Sequence, residues 1–160
     1  MNSINFIKTI RYLFANDATI RSFLRTNDVT TALQSILYSD SEYVSKEDFY
    51  SFPGIALRMD DDVSTLRGSD TNTVELEISI VDSVMAKSNS AMINCMNIRD
   101  RIKIMLKDNH SIINDQATAL GLALKVRDSE WVSSVTYKDK TQGSERLHKI
   151  ICSIKFIIGD

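Results

Sequence analysis

Two runs decide the fold: Val74–Val81, VELEISIV, and Leu147–Ile158, LHKIICSIKFII. In the first, Val74, Leu76, Ile78 and Ile80 alternate with Glu75, Glu77 and Ser79. That period of two belongs to a strand with one covered side and one side facing solvent or a subunit. In the second, His148, Ile150, Cys152, Ile154, Phe156 and Ile158 share a face, and Ile151 and Ile157 put apolar area on the other. Apolar residues on both faces predict a central strand, or one at a subunit interface. Val132–Lys138 precedes it as a further strand. The polar stretch between them, Asp139–Arg146, is longer than the about two to five residues of most hairpin loops.

Ser90–Lys107 lies between these strands with helical spacing. It would bury Met92, Cys95, Ile98, Ile102, Met105 and Leu106, and it gathers Arg99, Arg101, Lys103 and Lys107 toward the negative end of the helix dipole. The N-terminal region 3–25 reads as helix in two pieces. Phe6, Ile7, Ile10, Leu13 and Phe14 form one apolar face with Ser3 as N-cap, and Asn16-Asp17 interrupt the pattern. The second piece carries Ile20, Phe23 and Leu24 inward and leaves Arg11, Arg21 and Arg25 as the solvated side. Thr26–Tyr38 fits a helix through Val29, Ala32, Leu33, Ile36 and Leu37, although Ser35–Tyr38 also suits a short strand.

Ser39–Asp48 is polar and turn-like. Pro53-Gly54 then punctuates the chain before a short strand, Ile55–Met59, and Asp60–Thr73 follows as a polar loop. Ile112–Val126 reads as a short helix followed by a strand. Together the elements predict a single α+β domain over residues 1–160. Its sheet is mixed, mostly antiparallel and of about four to five strands, packed against the N-terminal helical segment and one long central helix.

The bulk numbers agree with one soluble domain. The 160 residues are 43% hydrophobic and 25% charged, which excludes wholesale disorder, and one proline with five glycines leaves little material for a linker. A net charge of −2 argues against a protein that grips phosphates, though not against one that DNA passes. The start, MNSINFIKTIRYLF, lacks the apolar core and cleavage site of a secretory signal, and no window approaches the ~20 apolar residues of a membrane span. The expectation is folding in a reducing cytoplasm, with Cys95 and Cys152 as buried thiols.

Chemistry is sparse. His110 and His148 have no second histidine or cysteine at ligand spacing, so surface or capping roles are expected for both, with no metal and no cofactor. Asp60-Asp61-Asp62 lacks the glycine and distal glutamate of a calcium loop. No nucleotide-binding glycine loop and no nucleophile elbow occurs. The chain reads as a non-enzyme that works by assembling.

The order of elements resembles the tail terminator family of long-tailed bacteriophages, the small proteins that cap the tail tube and join it to the head. The resemblance is carried by IKTIRYLFANDATIRSFL, by FPGIALRM after the proline, by VELEISIVD and by the helix SAMINCMNIRDRIKIML. It continues through the closing pair WVSSVTYKDKTQGSERLHKIICSIKFII, which Trp131 opens. It implies a structural virion protein at the tail–neck region, assembled in the host cytoplasm. Such a protein is a homo-oligomer, a hexameric ring around the DNA path, that meets the tail tube protein below and head-completion or neck proteins above. DNA would pass through it without specific binding.

In such a ring exposed strands and loops meet neighbours. The candidate ring or partner contacts are therefore Lys138, Lys140, Gln142, Arg146, Lys149, Ile151 and Ile157, and Asp60, Asp61, Asp62 and Asp70 form a candidate acidic loop. The alternatives are another head–tail connector, such as a head-completion or neck protein, and a small cytosolic α+β ligand-binding domain or enzyme. The last requires a pocket that gathers His148, Cys152, Glu75 or Glu77.

Overall fold

A computed structural model describes residues 3–38, 53–60, 71–85, 90–138 and 145–159. Five helices and five strands fill them: α1 (Ser3–Asn16), α2 (Ala18–Phe23), α3 (Val29–Gln34), β1 (Ile36–Tyr38), β2 (Gly54–Asp60), β3 (Thr71–Met85), α4 (Ser90–Leu106), α5 (His110–Ala119), β4 (Lys125–Lys138) and β5 (Glu145–Gly159). The class is α+β, as expected. The strands form one sheet in the order β1-β2-β3-β5-β4. Only the β1–β2 pair is parallel; the other three are antiparallel.

The two runs read first become the centre of the sheet. β3 and β5 pair over fifteen residues each, and the rows Val74–Phe156, Leu76–Ile154, Ile78–Cys152 and Ile80–Ile150 fall on one side. All eight of these side chains are buried. α1 and α4 cover that side. Phe6 of α1 meets Phe156 edge-on with ring centroids 5.0 Å apart, and Ile98, Ile102 and Leu106 of α4 join the same core. The opposite face is open along β5 and β4, where Lys155 and Ile157 are exposed and Ile151 is half-buried.

Local chemistry explains the helix boundaries. Asp17 ends α1 and caps α2, its Oδ1 accepting from the Ile20 amide at 2.8 Å, which answers the break at Asn16-Asp17. Asp28 caps α3 in the same way through the Thr31 amide. α5 ends at Gly121, whose φ of +66° is open to glycine at low cost. The Gly121 and Leu122 amides there take up the Thr118 and Ala117 carbonyls.

Several boundaries differ from the sequence reading. Thr26–Tyr38 is both alternatives in succession, a one-and-a-half-turn helix and then a three-residue strand. β3 and β4 run well beyond the strands expected at Val74–Val81 and Val132–Lys138, because polar residues such as Asp82, Asp128 and Glu130 continue the ladder. Ser3 is the first residue of α1 rather than a cap outside it. The turn expected at Ser39–Asp48 lies outside the described residues.

Candidate functional site

The open face is organised as rows that cross the sheet. One row runs Arg58, Glu77, Ser153, Ser133; the next runs Asp60, Glu75, Lys155, Glu130; a third runs Ala56, Ser79, Ile151, Val135, of which Ala56 and Ser79 are buried, so that this row is open only along β5 and β4. Some of the charges are matched within the face. Arg58 Nη2 lies 3.1 Å from Glu77 Oε2, and Ser153 donates its hydroxyl to Glu75 Oε1. Lys155 sits between Glu75 and Glu130 in register. Cross-strand pairs of opposite charge hold a sheet face together with modest energy and set which surfaces can dock on it. Between the charged rows lie apolar islands: Val135 is 45% exposed and Ile157 40%, with Ile151 beside Val135.

The proposed contact residues divide. Lys149, Ile151 and Ile157 share the open face. Lys138 ends β4 opposite His148, and Arg146, the second residue of β5, pairs with Val84, so both sit in rows of the other parity. Lys140 and Gln142 lie outside the described residues. The acidic loop is only partly placed as well: Asp60 is the last residue of β2, while Asp61, Asp62 and Asp70 lie outside the described residues.

The pocket required by an enzymatic reading is not assembled. His148 and Cys152 face the helix layer and are buried, whereas Glu75 and Glu77 stand on the opposite side of the sheet. Burial of His148 also corrects the expected surface or capping role. It follows from the position of β5 between two strands under α4, whose Cys95 Sγ lies 3.6 Å from the His148 carbonyl. Both cysteines are free, buried thiols. Burial and the nearby Asp82 charge push the Cys95 thiol up to about 12, and burial pushes Cys152 up to about 11. Neither supplies a thiolate near neutral pH. Among the described residues no three His, Cys, Asp or Glu side chains are grouped for a metal ion. No described helix is long and apolar enough to cross a membrane.

The sequence missed the polar ties that hold the helix layer. The Asp82 carboxylate is fully buried at the end of the sheet, and it accepts from Asn94 Nδ2 at 3.0 Å and from Arg25 Nη2 at 3.3 Å. Arg101 forks onto Asp17 at 3.2 and 2.6 Å, joining α4 to the α2 cap. Arg11 donates to the Leu33 and Ile36 carbonyls, and its guanidinium lies 5.0 Å from the Tyr38 ring centre. Arg21 donates to the Ala15 and Asn16 carbonyls at the end of α1. Of the three arginines assigned to a solvated side, Arg11 and Arg21 are half-buried anchors, while Arg25 is exposed as expected and reaches Asp82 through Nη2. Their partners are main-chain carbonyls or distant carboxylates, which leave no local pattern.

These features define an α+β protein whose sheet is covered by helices on one side and offers a charged, partly apolar face on the other. The sequence matches no family model, and a search of curated proteins returns no match.

Proposed function

We propose that this chain is a structural subunit that self-associates into a ring through its open sheet face, in the manner of a tail terminator capping a phage tail tube. The observation that carries the reading is the pair of exposed Val135 and half-buried Ile151, with exposed Ile157 further along β5, on a face where Arg58 and Glu77 are already joined within the sheet. An ion pair already made within the sheet costs less to cover than separate charges, and the apolar islands provide the gain. The role needs no catalysis, and DNA would pass a mildly acidic chain without being held.

Electron microscopy of the purified protein, alone and mixed with a tail tube protein, tests this. Rings of six-fold symmetry are expected, and Ile151→Lys with Ile157→Lys should abolish them while the circular dichroism spectrum is kept. Particles that stay monomeric under both conditions would refute the proposal. A normal particle yield from the triple variant Lys138→Ala, Lys140→Ala, Arg146→Ala would remove the connection between β4 and β5 from the contact.

A further inference from the structure

Exposed sheet edges invite strand addition, and folded proteins usually blunt them. Among the described residues several devices blunt the outer strands of this sheet, and one stretch of β4 lacks them. The β1 edge is three residues long, and its Ile36 carbonyl is already taken by Arg11 Nε at 2.7 Å. The β4 edge is closed at its start by α5: Asn114 Nδ2 donates to the Val126 carbonyl at 2.9 Å, and Asn114 Oδ1 accepts from the Val126 amide at 2.7 Å. Register shifts at Arg127 and Val132 then twist the first half of β4, which also carries Lys125, Arg127, Asp128 and Glu130.

The second half has none of these devices. From Ser133 to Lys138 the register with β5 is regular, and Ser133-Ser134-Val135-Thr136-Tyr137 contains no charge, proline or glycine. Ser133, Ser134, Val135 and Thr136 are exposed on both faces of the strand.

We infer that this window pairs with the same window of a second copy, antiparallel and about a two-fold axis at Val135. Self-pairing is what the composition suits. Val135 meets the partner's Val135, Ser134 meets the partner's Thr136, and Ser133 meets the partner's Tyr137. Hydroxyl pairs and β-branched pairs are favourable cross-strand neighbours, and no like charges come face to face. Antiparallel strand addition is the general mode by which a free edge gains main-chain hydrogen bonds. A window this short gives a small interface, so the pairing is concentration-dependent. A two-fold contact is not the repeating contact of a ring, so this inference does not rest on the proposed function. Covalent dimer mass reads the one and microscopy reads the other.

Residues directly opposite in an antiparallel pair stand within disulfide reach. Val135→Cys should therefore give a covalent dimer on mild oxidation, read by non-reducing electrophoresis and mass spectrometry. The native cysteines are buried and do not compete. Ser133→Cys, exposed on the same face but opposite the partner's Tyr137, should give at least several-fold less dimer, as should Arg127→Cys in the protected half. Sedimentation over a concentration series should show dimerisation of the native chain and its loss in Ser134→Lys with Thr136→Lys, which sets ammonium groups opposite each other across the two-fold axis and leaves Val135 and the open face unchanged. Dimer yields from Val135→Cys no higher than from Ser133→Cys, or identical sedimentation of the native chain and the double lysine variant, would overturn the inference.

Discussion

Replacing Asp17 tests how far a single side chain ties the helix layer to itself. Its carboxylate caps α2 through the Ile20 amide at 2.8 Å and receives the Arg101 fork at 3.2 and 2.6 Å. Loss of such a cap costs about 1 kcal/mol. The Arg101 link is partly buried, with Asp17 12% and Arg101 33% exposed, and is worth about 1–2 kcal/mol after solvent screening. Asp17→Ala should then cost about 2–3 kcal/mol in urea unfolding at neutral pH. Asp17→Asn keeps a cap and loses the ion pair, so it should cost about 1–2 kcal/mol.

The acid dependence follows from the direction of the Asp17 shift. Burial raises its pKa, but the Arg101 hydrogen bond, the Ile20 amide and the Arg101 charge together hold it below the ordinary 3.8. A group whose pKa is lower folded than unfolded stabilises the fold fully above the unfolded value. That contribution is lost as the pH falls through the folded value. The stability gap between the native chain and Asp17→Asn should therefore be constant near neutrality and close below pH 3.8. A cost under about 0.5 kcal/mol for Asp17→Ala, which is the scatter of surface substitutions, would refute the clasp. A gap that does not close in acid would refute the ion pair.

Two further outcomes follow from the core. Phe156→Ala removes the ring that meets Phe6 at 5.0 Å under α1 and should cost about 3–5 kcal/mol, seen as a lower urea midpoint with an unchanged slope. Cys95 and Cys152, held up to about 12 and about 11, should resist alkylation in the folded protein at pH 8 and react once it is unfolded; fast labelling of the native state would contradict their placement.

The centre of the sheet was legible because burial there repeats with the strand period. Val74, Leu76, Ile78 and Ile80 alternate in sequence and are all buried in the structure. The two faces of β5, with Ile151 and Ile157 away from the core, could be read for the same reason. Where a strand carried polar residues the signal failed. Lys125–Trp131 is half of β4, yet its ladder includes Asp128 and Glu130, because an edge strand whose second face meets water has no need of apolar alternation there. The helix–strand ambiguity at Thr26–Tyr38 had a different source. Asp28 starts a helix too short to show a full period, and Ile36, buried in the strand, also fits the apolar spacing of a continued helix.

What sequence periodicity cannot report is which main-chain groups are already satisfied. The protection of this sheet comes from afar: Arg11 reaches the Ile36 carbonyl across 25 positions, and Asn114 reaches Val126 across 12. Neither residue differs by type or spacing from an ordinary surface side chain. An interface is therefore marked less by the residues that form it than by the defences missing beside it. The uncharged run Ser133–Tyr137 reads in sequence as part of a strand, but it acquires meaning only beside the devices that Arg11, Asn114 and the two register shifts supply elsewhere on β1 and β4. By that reasoning Val135→Glu should alter association far more than Arg127→Glu, although the second is the larger change in charge and both positions are exposed on the same strand.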